Sequence, residues 1–120
     1  MPDLTTPTAL DERLAGLAHP VRRCILELLG EGERPVAEIA RPFGVSRPAV
    51  SQHLRVLLHC GLVAEQRRGR ERVYRVRPEG LREVDEWLST YRRFWADHLG
   101  RLASHLDAAA TAEHSQEARP

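Results

Sequence analysis

Residues 45–62 read VSRPAVSQHLRVLLHCGL, and the rest of the chain is organised around them. Gly44 precedes it, and a glycine there is the usual left-handed end of the preceding helix. Ser46 is a preferred N-cap, and Pro48 falls in the first helical turn, where a missing N–H costs little. Apolar residues then recur at helical spacing, at Val50, Leu54, Leu57 and Leu58. The stretch therefore predicts one amphipathic helix, which ends before Gly61.

The opposite face of this helix is polar and carries no acidic residue. At about 100° per residue, that face presents Pro48, Gln52, Arg55 and His59, with Arg47 and Ser51 on its flank. The major groove of B-DNA admits one α-helix, and hydrogen-bonding side chains read the bases there. The pattern therefore predicts a helix that can enter a major groove.

Positive charge is concentrated around the same helix. The whole chain of 120 residues has a net charge of only +1. Residues 41–77, however, contain nine Arg and two Glu, while the segments before and after each carry a net charge of −3. A basic middle third between two acidic ends is typical of a protein that binds nucleic acid.

Two further patterns flank the helix. A shorter helix containing Val36 and Ile39 precedes it, so the pair predicts a helix-turn-helix. After Gly61, two strand-like runs predict a β-hairpin. Four arginines cluster at the tip of this hairpin, namely Arg67, Arg68, Arg70 and Arg72. Because their mutual repulsion costs stability unless phosphates relieve it, we favour DNA contact over a merely solvated hairpin.

The ends of the chain predict an assembly. A first helix, capped by Thr8, precedes a second that begins at Pro20, and a long helix is predicted from Leu81 to Ala110. The long helix carries a continuous apolar stripe that one small domain cannot cover, so we expect a symmetric homodimer. The expected interface comprises Leu10, Leu14 and Leu17 of the first helix with Trp87, Tyr91, Trp95, Leu99, Leu102 and Leu106 of the last.

Composition limits the remaining possibilities. We expect one domain over residues 1–110 and a disordered tail over residues 111–120. No apolar run is long enough to span a membrane and no signal peptide is evident, so a cytoplasmic location is expected. Cys24 and Cys60 lie on apolar helix faces, which predicts buried free thiols rather than a disulfide. No nucleophile–base set, phosphate loop or carboxylate pair indicates an enzyme.

From Leu14 to Leu106 the chain resembles the ArsR/SmtB family of bacterial winged-helix transcription regulators. The segments LAHPVRRCILELL, VSRPAVSQHLRVLLHCGLV, GRERVYRV and PEGLREVDEWLSTYRRFW carry the resemblance. It implies a mainly α fold with a small β-hairpin wing, that is, a winged helix-turn-helix that dimerises through its terminal helices. It also implies a recognition helix that reads a pseudo-palindromic operator and a wing on the flanking DNA backbone. Repression is the family default, although the sequence does not determine the sign of regulation.

The resemblance also indicates individual recognition residues. Ser46, Ser51 and His53 match the family's recognition-helix signature, and Arg47, Gln52 and Arg55 stand beside them. His53 lies nearer the apolar face than Gln52 does, so a role in folding alone is an alternative for it.

The metal sites of the family do not carry over intact. The short helix reads VAEIARP and lacks the Cys-x-Cys pair that many members use. His114 and Glu117 echo half of another site, but Ala103 stands where that pattern needs a histidine eleven residues earlier, and Asp97 directly adjoins His98. We expect no required cofactor.

Two alternatives to a plain DNA-binding regulator remain at this point. One is a nickel- or zinc-responsive regulator, because His98, His105 and His114 are ligands that suit those ions; the signal could also reach it through a separate partner protein. Surface or interface histidines are the competing interpretation of the same residues. The other alternative is a protein-interaction module, against which the arginine-rich wing argues.

Overall fold

The computed structural model describes the backbone of residues 3–117 and the side chains of residues 3–112. Its helices are α1 (Ala9–Leu17), α2 (Pro20–Gly30), α3 (Val36–Ala40), α4 (Arg47–His59) and α5 (Pro78–Glu117). Its strands are β1 (Arg34–Pro35), β2 (Val63–Arg68) and β3 (Glu71–Val76). The chain forms two compact units, one ending at Asp85 and one beginning at Glu86.

The first two helices begin where their capping residues predict. The Thr8 hydroxyl accepts a hydrogen bond from the Asp11 N–H, and the Asp11 carboxylate accepts one from the Thr8 N–H, so both halves of a capping box are present. Pro20 is the first residue of α2, where its missing N–H leaves no partner unsatisfied. These signals are local, which explains why the sequence predicts them correctly.

The helix-turn-helix consists of α3 and α4, joined through a short 3₁₀ turn over Arg41–Phe43. Gly44 ends this turn with a φ of 60°, a left-handed conformation that a side chain would strain. Beyond α4, β2 and β3 form the predicted hairpin, and β1 adds a third strand in the order β1-β3-β2. The fold class is confirmed, but β1 was not predicted, since two residues carry no period-2 pattern.

The core lies between α2, α3, α4 and the sheet. Val50, Leu54 and Leu57 of the predicted α4 stripe have no exposed surface, and Leu58 is half-buried beside them. Their buried partners come from α2, α3, the hairpin and the segment that follows α4, namely Ile25, Leu26, Leu29, Ile39, Ala40, Cys60, Leu62, Val63 and Tyr74. Burying these apolar side chains stabilises α4 at about 1.5–3 kcal/mol for each large one.

The prediction for the two cysteines is right for one of them. Both are free thiols, and Cys60 is buried, with its Sγ 3.5 Å from the carbonyl oxygen of Leu57. Cys24 is exposed, contrary to the prediction, and Leu26 is buried instead. The buried side chains of α2 are Ile25, Leu26 and Leu29, so Cys24 lies outside the buried face of this helix.

Helix α5 is longer than predicted. It begins three residues before Leu81 and continues to Glu117, so it extends into the segment for which a disordered tail is expected. Large apolar side chains between Trp87 and Leu106 are exposed along it. Within the described residues, no helix has the length and apolar character needed to cross a lipid bilayer.

Candidate nucleic-acid interface

Ser46 and Pro48 determine where α4 begins. Ser46 has an extended backbone, and its Oγ accepts a hydrogen bond from the Ala49 N–H at 3.3 Å, which caps the helix. Pro48 occupies the first turn as expected. No acidic side chain follows within that turn, so the positive end of the helix dipole is left available to an anion.

The outward face of α4 has the composition that the sequence predicts. Pro48, Gln52, Arg55 and His59 are exposed together with Arg47, and Ser51 is half-buried at the edge. Val56 is also exposed, at 41% of its surface, and sequence reasoning missed it. Because it stands one turn after Gln52, the helical spacing could have placed it on this face.

The wing is the hairpin of β2 and β3, which turns at Gly69 with a φ of 62°. Arg67 stands directly opposite Arg72 in the antiparallel register. Arg68 forms an ion pair with Glu33, and Arg72 lies 3.8 Å from Glu65.

These ion pairs divide the four arginines at the tip of the wing into two that are paired and two that are not. Among the side chains at positions 3–112, no carboxylate pairs with Arg67 or Arg70. The two pairs that do form join residues that are far apart in the chain or on opposite strands, so the sequence alone could not assign them. At the tip of the wing, Arg67 and Arg70 therefore carry positive charge that no ion pair compensates.

A cleft separates the wing from α4. One cavity of about 310 Å³ is lined by Arg47 and Ser51 of α4 together with Glu71 and Arg72 of β3. A second, of about 360 Å³, is lined among others by Arg55, Glu65 and Tyr74. Burial raises the pKa of Tyr74 above its ordinary value, and the Glu65 carboxylate raises it further. Tyr74 therefore stays a neutral hydroxyl beside Glu65.

On the other side of α4, His53 is half-buried and lies in contact with the start of α2. Its ring packs against that of His19 at a centroid distance of 4.5 Å, and its Nδ1 is 3.5 Å from Nη1 of Arg22. Burial lowers the pKa of His53, and the charges of His19 and Arg22 lower it further. Arg22 and His19 were not predicted as site residues, because α2 alone gives no sign of this contact.

The apolar stripe of α5 is exposed on the single chain. Trp87, Tyr91, Trp95, Leu99, Leu102 and Leu106 are each at least 44% exposed, and Phe94 and Leu88 extend the surface. The three leucines predicted for the interface on α1, Leu10, Leu14 and Leu17, are half-buried. The partner for these surfaces stays a prediction.

The candidate metal residues are not brought together. Among side chains 3–112, no three His, Cys, Asp or Glu residues lie close enough to hold one ion. His98 packs against the ring of Trp95 at 5.8 Å. His105 is exposed, and the side chain of His114 lies outside the described residues.

Known proteins share this arrangement of helix-turn-helix and wing. The model of the bacterial regulatory proteins of the arsR family matches residues 19–65. The HTH-type transcriptional regulator Rv2034 of Mycobacterium tuberculosis is 40% identical over 88% of this chain and 95% of its own length. The chain belongs to the ArsR family.

Two other similar proteins support the assignment. The repressor SmtB of M. tuberculosis is 41% identical over 63% of this chain and 56% of its own length. A structure from Mycobacterium bovis, described as the homodimeric winged helix-turn-helix DNA-binding domain of a possible ArsR-family regulator, is 29% identical with a TM-score of 0.57. It covers 78% of this chain and 83% of its own. This ArsR-family protein is a DNA-binding transcriptional regulator.

Proposed function

We propose that this ArsR-family regulator binds a pseudo-palindromic operator as a homodimer. Helix α4 of each protomer enters a major groove, and the wing contacts the flanking backbone. The proposal rests on the outward face of α4, which carries no carboxylate and lies beside a wing with two unpaired arginines, Arg67 and Arg70, at its tip. We infer that the protein acts in the cytoplasm, where a bacterial operator is located.

The roles of the two elements differ. Gln52 is exposed at the centre of the outward face, and a glutamine amide can form two hydrogen bonds with the edge of an adenine. Arg67 and Arg70 can approach phosphates, whose charge is the same at every base pair. We therefore assign base recognition to α4 and sequence-independent affinity to the wing.

The experiment is a selection of binding sites from a random DNA pool by the wild-type protein and by Gln52→Ala. The variant should lose about 1–3 kcal/mol per half-site and accept more than one base at the affected position. Gln66→Ala is the matched control, because Gln66 is an exposed glutamine of the wing strand β2. If Gln66→Ala changed the base preference and Gln52→Ala did not, the two roles would be reversed.

A further inference from the structure

Arg22 connects three helices. From α2 its Nε donates to the carbonyl oxygen of Gly16 at 2.7 Å, and its Nη2 donates to that of Ala15 at 3.2 Å. These carbonyls belong to the last turn of α1, which has no basic residue of its own. The remaining nitrogen, Nη1, lies 3.5 Å from Nδ1 of His53 on α4. One side chain therefore links the end of α1 to the recognition helix.

His53 is held from a second direction by His19. The two rings pack at 4.5 Å with an interplanar angle of 48°. His19 is itself fixed, because its Nδ1 accepts a hydrogen bond from the Val21 N–H at 3.1 Å and so caps α2. The imidazole of His53 is thus confined between the cap of α2 and the guanidinium of Arg22.

The chemistry of the contact requires a neutral His53. A guanidinium has five N–H donors and no acceptor, so the Nδ1 that faces Arg22 must be unprotonated. A proton on that nitrogen would place two N–H groups against each other. The charged or titratable groups that face this site are Arg22 of α2 and His19, the N-cap of that helix. Arg55 and His59 of α4 line a cavity of about 490 Å³ together with Arg22 and His53.

We propose that Arg22 and His53 are positioning residues for operator recognition. They fix the rotation of α4 about its own axis relative to α1 and α2, and the inference rests on the proposed function of α4. His53 directly follows Gln52, only ~100° away around the helix. The contacts that fix the direction of the His53 side chain around the helix axis therefore also fix the direction in which the Gln52 amide points.

Arg23 provides a matched control within the same helix. Its Nη1 donates to the carbonyl oxygen of Leu17 at 2.7 Å, so it also caps the end of α1. It is exposed, and in the described part of the chain it has no hydrogen bond to α4. Loss of Arg23 removes a charge and a helix cap, as loss of Arg22 does, but it leaves His53 in place.

The test measures affinity for two duplexes near neutral pH, at a temperature where circular dichroism shows every variant folded. One duplex is the sequence that the wild-type protein selects from a random pool, and the other is unrelated and of equal length. Arg22→Gln and His53→Leu should each weaken binding to the selected duplex about tenfold and to the unrelated duplex by less than about twofold. The double variant should be no weaker than either, because the two residues act as a unit. Arg23→Gln should leave the ratio of affinities unchanged.

A second measurement uses pH. The ratio of the wild-type affinities for the selected and the unrelated duplex should fall once the pH drops below the lowered pKa of His53. Protonation of the His53 ring then breaks its contact with Arg22. In His53→Asn, the amide oxygen is an acceptor at about the same distance from the backbone as Nδ1, and the amide cannot titrate. The affinity ratio of this variant should therefore fall less as the pH is lowered. His19 and His59 are present in both proteins, and the difference between the two profiles therefore isolates His53.

Several results would overturn the positioning role. Equal losses on both duplexes would show that Arg22 contacts phosphate, and an equal effect of Arg23→Gln would show that only the cap of α1 matters. An identical pH profile in His53→Asn would remove His53 from the mechanism. If the wild-type protein selected no DNA sequence from the pool, the proposed function itself would be wrong. If the wild type selected a sequence and Arg22→Gln bound it as tightly as the wild type does, only the positioning role would be wrong.

Discussion

At Gly80 the first turn of α5 passes against the backbone carbonyl of Gly61. A Cβ atom built on Gly80 would overlap the Gly61 oxygen, which is backbone and cannot move aside as a flexible side chain can. The N–H of Arg77, just before α5, donates to the carbonyl oxygen of Leu62 at 2.9 Å in the same place. The absence of a side chain therefore allows the last helix to begin directly on the segment that follows the recognition helix.

Gly80→Ala should therefore destabilise the protein. Relief of the overlap requires a shift of α5 or of the Gly61 turn, and overpacking of this kind costs about 1–3 kcal/mol. Denaturant unfolding followed by circular dichroism measures the loss. Gly100→Ala is the control, since Gly100 lies in the same helix and a Cβ atom there would point into open space. If Gly80→Ala unfolded at the same denaturant concentration as the wild type, the close approach of Gly80 to the Gly61 carbonyl would be contradicted.

Single residues also show where sequence reasoning ends. The caps at Thr8 and Ser46 were predictable because each depends on side chains within three positions. The contact between Arg22 and His53 spans 31 positions, and only the folded chain brings those side chains together. Cys24 was misplaced for a related reason, since an apolar pattern in α2 does not show which part of that face meets the sheet.

At the scale of elements, the recognition helix was predictable and the short strand was not. The start and stop residues of α4 and its apolar stripe all lie within the helix and its ends. Strand β1 consists of two residues and exists only through its pairing with β3, where Arg34 opposes Tyr74. The two strands of the hairpin and the turn between them were predictable from the sequence, but the ion pair between Arg68 and Glu33 was not.

The wing yields a prediction about salt. Arg70→Ala should reduce the slope of log affinity against log salt concentration by about 0.9 per wing, because each phosphate contact releases one condensed counterion. Arg68→Ala should reduce it less, since Glu33 already compensates that charge. Titrations at several salt concentrations with the selected duplex measure both slopes.

Arg82→Ala is the control for the wing variants. It removes the same charge from an exposed position of α5 and should leave the slope nearly unchanged. An equal loss of slope in Arg82→Ala would show that net charge alone, rather than the position of Arg70, determines the effect.

At the scale of the whole molecule, the stripe of α5 predicts dimerisation. Trp95→Glu should shift the sedimentation of the protein from dimer to monomer at micromolar concentration, because it places a carboxylate at the centre of the exposed apolar surface. Ser104→Glu adds the same charge to the same helix about 180° away and should leave the dimer intact. A wild-type protein that stays monomeric in this range would contradict the assembly.

The histidines of α5 predict a weak response to metal. The short helix has no Cys-x-Cys pair, and Ala103 interrupts the histidine pattern of the last helix. We therefore expect little differential affinity for nickel or zinc between the two states of a DNA-binding equilibrium. Operator affinity should therefore change little when stoichiometric metal is added or chelated. A shift of about tenfold that disappears in His98→Ala with His105→Ala would show instead that the chain senses metal directly.

The position of the tryptophans has a consequence for spectroscopy. The chain has two, Trp87 and Trp95, and both lie on the exposed stripe of α5, at 44% and 58% exposure. The core of the first unit has Tyr74 as its buried aromatic side chain among the described residues. Intrinsic tryptophan emission therefore reports the polarity around α5 and is insensitive to the packing around α4. A blue shift on concentration would signal that a second chain has covered the stripe, while melting of the DNA-binding core would have to be followed by another probe.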